Sequence, residues 1–158
     1  MYCVGDKVVY PMYGAGIIEN LEEKRIDGIN QMYYVMRIPV GNLKIMLSVS
    51  KAQNAGIRRI MSAAPLLKTI DSVKEKPIIM DTNWNQRYKD NMEKIKTGDI
   101  SEVAEVFRNL RQREREKGLS SAEKKMLSTV KQIILSEIIL SNDVERPEAE
   151  EILDGIIF

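Results

Sequence analysis

Met32-Tyr33-Tyr34-Val35-Met36-Arg37-Ile38-Pro39-Val40-Gly41-Asn42-Leu43-Lys44-Ile45-Met46-Leu47 reads as a strand, a turn and a second strand. Met32 to Ile38 is rich in the aromatic and β-branched residues that suit a pleated surface. Pro39 presets φ and Gly41-Asn42 supplies turn chemistry. Beyond it, Leu43, Ile45 and Leu47 alternate with Lys44 and Met46, the period of a two-faced strand. Upstream, Asp27-Gly28 is the strongest hairpin signal in the chain, because that pair tolerates the positive φ of a tight primed turn. Further back, Gly14-Ala15-Gly16 reads as a turn, after which Ile17-Ile18 through Leu21 resumes a strand. Val8-Val9-Tyr10 is a short strand that Pro11 ends, since Pro cannot donate to a ladder. From Val4 to about Arg59 the pattern therefore predicts four or five short strands in a small, bent β-barrel, of the kind used for docking.

From about Ala63 the period becomes helical. Ala63 to Lys74 carries Leu66, Leu67, Ile70 and Val73, and Lys76-Pro77 stops it. Asp81-Thr82-Asn83 offers N-cap oxygens to a helix from Trp84 to Thr97, closed by Gly98. Asp99-Ile100-Ser101-Glu102 has capping-box spacing and opens a helix with Val103, Val106, Phe107 and Leu110 as its apolar stripe. Ser120-Ser121-Ala122-Glu123 is a second capping box, followed by Leu127, Val130, Ile133-Ile134 and Ile138. Pro147 begins a last short helix whose Ile152, Leu153 and Ile156 can pack back. The expected class is α+β: a β-barrel followed by a compact helical bundle.

Composition narrows the chemistry. The 158 residues hold no His, one Cys, one Trp and nine Met, with 44% hydrophobic and 30% charged residues. That balance describes a globular chain of one domain or two small ones. Without His there is no Ser-His-Asp or Cys-His nucleophile and no His-ligated metal. A lone Cys3 excludes an internal disulfide and a Cys-rich zinc site, and fits a reducing cytoplasm. No apolar run reaches the roughly 18 residues of a membrane span, and the N-terminus lacks the marks of a signal peptide. No pair of carboxylates stands out as a general acid and base. The net charge of +1 conceals segregation: residues 1–136 hold 23 basic against 16 acidic side chains, whereas 137–158 hold Arg146 against seven acids. A basic body with an acidic end is a lead toward nucleic acid, shared by many chains that never meet it.

Three features bear on function. Trp84-Asn85-Gln86-Arg87-Tyr88-Lys89 interleaves aromatic and basic residues, a pattern in which cations hold phosphates while a flat ring meets an exposed base. Trp84, Tyr88, Met92 and Ile95 also make a core stripe at spacings of four, four and three. Spacing favours the core for the last three and leaves Trp84, at a helix start beside polar caps, open between core and surface. The second feature is the basic set Lys124, Lys125 and Lys131 with Arg108, Arg111, Arg113 and Arg115. Lys124 and Lys131 are two turns apart on one face. Such runs are commonly a solvated helix surface, but Lys124-Lys125 near a helix N-terminus opposes the macrodipole, a mild cost that points to use. The third, Gly14-Ala15-Gly16, has β residues on both sides and lacks the context of a phosphate loop.

Val4-Gly5-Asp6-Lys7-Val8-Val9-Tyr10-Pro11 with Gly14-Ala15-Gly16-Ile17 resembles the opening of the CarD/CdnL family of bacterial transcription regulators, an opening shared with the polymerase-docking module of transcription-repair coupling factor. Asn83-Trp84 with Arg87-Tyr88-Lys89 and Asn91, then Gly118-Leu119-Ser120 with Glu123-Lys124 and Met126-Leu127, resembles the helical domain of CarD rather than coupling factor. The resemblance covers nearly the whole chain.

What it implies is a non-enzymatic, cofactor-free, cytoplasmic transcription factor in two domains. Residues 1–60 would be a Tudor-like module docking on the RNA polymerase β subunit by strand addition, with Lys24 and Ile26 in the matching strand region. Met46 stands where some relatives carry a base, which leaves it an apolar contact. Residues 61–158 would lie on promoter DNA at the upstream edge of the bubble, without sequence specificity, with Trp84 wedged in the minor groove. Arg87, Lys89, Lys124, Lys125 and Lys131 match the DNA face. The protein would act as a monomer when bound, away from membranes. Tethering makes the weak DNA contact effectively intramolecular. A wedge worth about 1–3 kcal/mol would change open-complex population roughly five- to a hundred-fold. Two other classes stay open: a protein-binding adaptor without DNA contact, and a metal-dependent hydrolase.

Overall fold

The computed structural model describes residues 1–157; Phe158, which closes the expected helical part, lies outside the described residues. Strands β1 (Lys7–Tyr10), β2 (Gly14–Ile26), β3 (Ile29–Ile38), β4 (Leu43–Ser48) and β5 (Arg58–Arg59) form one antiparallel sheet in the order β4-β3-β2-β1-β5. A one-turn helix, α1 (Val49–Ala52), follows β4. The rest is helical: α2 (Ala63–Ser72) with a 3-10 turn at Val73–Glu75, α3 (Trp84–Lys96), α4 (Ile100–Glu116), α5 (Ser121–Asn142) and α6 (Arg146–Ile157). The α+β class expected from the two periodicities is the one observed.

Turn chemistry fixes the sheet register. Asp27 (φ 52°) and Gly28 (φ 78°) both take positive φ, so Ile26 pairs with Ile29 and the hairpin zips back through Lys24↔Gln31 and Glu22↔Tyr33. β2 and β3 are longer than the short strands expected, and their outer ends project beyond the pairing of β3 with β4, which starts at Tyr33↔Ser48.

Gly14-Ala15-Gly16 is not the turn. The chain reverses at residues 11–13, with Met12 at φ 77°, and Gly14 already opens β2. These glycines admit close neighbours instead: a Cβ at Gly14 would meet Ser136 Oγ at 2.7 Å, and one at Gly16 the Arg37 carbonyl oxygen at 2.6 Å.

One face of the sheet buries Val8, Ile18, Tyr34, Met36 and Ile38 beneath α1. A larger core centres on Phe107 and Leu110 of α4 and Val130, Ile134 and Ile138 of α5, with Leu66, Ile70 and Leu153 around them. Each is a position that the 3.6-residue period assigns to the interior. Sheet and bundle meet through Val9 and Ala15 against Leu140, flanked by Ile17 and Ile60. The Ala15 amide donates to Ser136 Oγ (2.8 Å) and Lys7 Nζ to the Leu140 carbonyl (3.2 Å).

Candidate functional site

Polar caps place the first turn of α3. Asp81 accepts from the Asn83 amide (2.8 Å), and Asn83 Oδ1 accepts from Asn85 (3.0 Å) and Gln86 (3.2 Å). With the free amides satisfied by side chains, this turn needs no packed neighbour, and residues 81–86 are all exposed. Below it Ile95 is buried and Tyr88 and Met92 pack partly into the core, as their spacing predicts. Trp84 is in line with that stripe but one turn past its end, and is 50% exposed. Of its two readings, the surface one holds.

Arg87 departs from expectation. It is 3% exposed, and its Nε and Nη2 donate to the Glu123 carboxylate at 2.8 and 2.9 Å. Nη1 donates to the Asp81 carbonyl (3.1 Å) and more weakly to that of Thr82 (3.4 Å). A guanidinium so placed is not free to hold a phosphate. Its spacing of four from Asn91 and of eight from Ile95, both buried, was the sequence signal for this. Ser120 Oγ donates to the same carboxylate (3.1 Å) and accepts from the Glu123 amide (3.2 Å), so one half of the expected capping box forms while the carboxylate turns to Arg87. Hydrogen bonds from Arg87 pull the Glu123 carboxyl below its ordinary range against the opposing effect of burial, and the same bonds raise the Arg87 guanidinium.

The pair therefore joins the N-termini of α3 and α5. Met92 and Ile95 further along α3 line one groove with Met126 and Thr129 of α5, so the two helices run in the same sense. Trp84, Lys124 and Lys125 accordingly share one end of the bundle. Lys124 and Lys125 are exposed, about 100° apart around α5, and Lys131 is half-buried on the Lys124 side two turns along. Lys125 lines the groove with Tyr88; Lys89 is exposed, about 140° around α3 from Trp84. The positive ends of both helix dipoles point to the same end. Arg108 is buried too, donating to the carbonyls of Val73, Lys76 and Pro77 and to Asn109 Oδ1, so it braces the strap before α3 and is not part of a basic surface.

In the sheet, cross-strand register sets which residues share a face. Ile26↔Ile29, Lys24↔Gln31, Glu22↔Tyr33↔Ser48 and Asn20↔Val35↔Met46 are successive alternate rows, which line one side of a sheet. Lys24, Ile26 and Met46 are therefore on one face, and all three are exposed. β4, which carries Met46, is an edge strand.

Two family profiles match the chain: "CarD-like/TRCF RID domain" over residues 2–61 and "CarD, C-terminal domain" over residues 68–154. The Bacillus subtilis (strain 168) protein "Putative transcription factor YdeB" is 41% identical over 138 residues, 87% of this chain and 90% of that protein. The chain belongs to the CarD family. A solution structure of the 72-residue N-terminal domain of Myxococcus xanthus CarD matches 37% of this chain and 79% of that domain at 27% identity, with a TM-score of 0.33.

Membership of the CarD family puts the chain among transcription factors. Lys24, Ile26 and Met46 fall within the N-terminal CarD match, and Trp84, Arg87, Lys89, Lys124, Lys125 and Lys131 within the C-terminal one. Among the described residues no group of three or more His, Cys, Asp or Glu could hold a metal ion, and no helix is long and apolar enough to cross a membrane. Sequence reasoning missed Arg58 and Glu137, whose pairing spans 79 positions and leaves no local pattern.

Proposed function

We propose that this protein regulates transcription initiation by docking residues 1–60 on the RNA polymerase β subunit and setting residues 61–158 against promoter DNA at the upstream edge of the bubble. Trp84 enters the minor groove there and holds the open complex. Lys124 and Lys125 contact phosphates beside it, Lys89 and Lys131 extend the basic margin, and Arg87 positions the wedge from within. Docking uses the free edge of β4 and the face bearing Lys24, Ile26 and Met46, by strand addition. The factor works in the cytoplasm as a monomer on polymerase, with no cofactor and no catalytic step.

The observation that carries this reading is the half-exposed indole fixed at the end of the bundle, with two lysines on the neighbouring helix start. Apolar wedges partly unstack a base step, and a ring that fits only unstacked DNA binds the open state better than the closed one. That preference is what shifts a closed–open equilibrium. Few phosphate contacts give non-specific affinity on the order of 10⁻⁴ to 10⁻⁶ M, so tethering to polymerase supplies the local concentration.

Footprinting of promoter complexes made with purified polymerase tests it. The expected result is new protection at the upstream bubble edge when the protein is added. Polymerase binding without any change in the footprint would instead mark a protein-binding adaptor.

A further inference from the structure

Helix α5 reaches from the wedge to the sheet, and a buried glutamate near each end is bound by an arginine from another element. At the wedge end this is Glu123 with Arg87. At the sheet end Glu137, 2% exposed, receives Arg58 Nη1 at 2.9 Å and Nη2 at 2.7 Å together with the Met61 amide at 2.9 Å. Arg58 Nε also donates to the Gly98 carbonyl (3.0 Å), so one side chain of β5 ties α5 to the α3–α4 turn. Next to it, Ser136 takes the Ala15 amide and Leu140 takes Lys7.

We propose that the Arg58–Glu137 pair is a positioning device: it fixes the angle of the bundle on the sheet, so that docking through the sheet places Trp84 at one base step. The inference rests on the function proposed above. Its argument is geometric. The apolar contact between sheet and bundle has Val9, Ala15 and Leu140 at its centre, with Met12 and Val40 seated on the bundle core as well, and apolar attraction is non-directional. A two-point fork between guanidinium and carboxylate sets an angle, because both groups are planar and both bonds are directional. Buried ion pairs add little net stability over apolar substitutes, and in some systems they serve to fix one arrangement. From Glu137 to Glu123 the helix rises about 21 Å at 1.5 Å per residue, so a tilt of about 10° at the sheet displaces the wedge by roughly 4 Å. That is about one base step of DNA, some 3.4 Å per strand.

The test uses the full chain carrying Glu137→Gln, with Arg58→Gln as the second variant should the first fail to fold. In the free protein, spin labels at Lys51 and Glu93 in a Cys3→Ser background report the distance between the halves. A single narrow distribution is expected for the parent, at least twofold broadened in the variant. In the polymerase–promoter complex the variant should bind polymerase as the parent does while open-complex lifetime falls at least fivefold. An unbroadened distribution in a folded variant overturns the proposal, as does broadening with an unchanged lifetime while Trp84→Ala shortens it. If Trp84→Ala also leaves lifetime unchanged, the functional reading itself fails and the positioning role falls with it.

Discussion

Arg87→Ala separates a buried brace from a phosphate contact. Glu123 is 1% exposed in the parent; the substitution removes the guanidinium from its carboxylate, leaves only the Ser120 side chain donating to it, and frees the carbonyls of Asp81 and Thr82 from their donor. Removing one partner of a buried ion pair costs about 3–5 kcal/mol, because an uncompensated charge stays behind. For a domain of this size each kcal/mol is worth about 2–4 °C, so the melting temperature should fall by about 6–20 °C. Urea denaturation followed by circular dichroism measures the loss directly. The salt dependence of DNA binding should keep its slope, since no phosphate contact has gone. Arg87→Met with Glu123→Leu should recover most of the stability, as apolar replacement of a buried pair is often neutral. A stability loss under about 1 kcal/mol, in the range of ordinary surface substitutions, together with a flatter salt dependence would refute the brace and restore Arg87 to the DNA face.

The same pair makes stability pH-dependent. Because the folded Glu123 carboxyl ionises below its unfolded value of about 4.3, the unfolded chain binds more protons in that interval. The contribution is complete above the unfolded value and lost as pH falls through the folded one; Glu123→Gln should flatten the fall in urea midpoint below about pH 4.5. Lys124→Glu with Lys125→Glu should abolish upstream protection in the polymerase complex without loss of folding, and should lower the salt slope by about two. Gly98→Ala should cost about 2–4 kcal/mol by chemical denaturation, since its φ is +69° and its Cβ would meet Pro11 Cγ at 2.8 Å.

Signals that act over a few residues were legible in the sequence. Asp27-Gly28 set the hairpin, Asn83, Asp99 and Ser120 each cap a helix, and the stripes of α4 and α5 are buried where their period placed them. Readings failed where a distant element decides. Gly14 and Gly16 looked like a turn because their reason, the approach of Ser136 and Arg37, is tertiary. Arg87 read as a phosphate-holding cation and Arg108 as part of a basic surface because charge is usually outside, yet each satisfies its donors inside the protein. β5 is two residues long and exists through pairing with Val8 and Val9, so no period announces it. Trp84 is the converse: spacing allowed core or surface, and its 50% exposure at the capped start of α3 settles it.

The lifetime of heparin-challenged open complexes, with parent or Trp84→Ala protein at saturating concentration, tests the wedge most directly. A ring that props melted strands apart predicts that alanine shortens that lifetime at least fivefold while polymerase affinity and the melting temperature of the protein hold. Equal lifetimes at equal occupancy would contradict it.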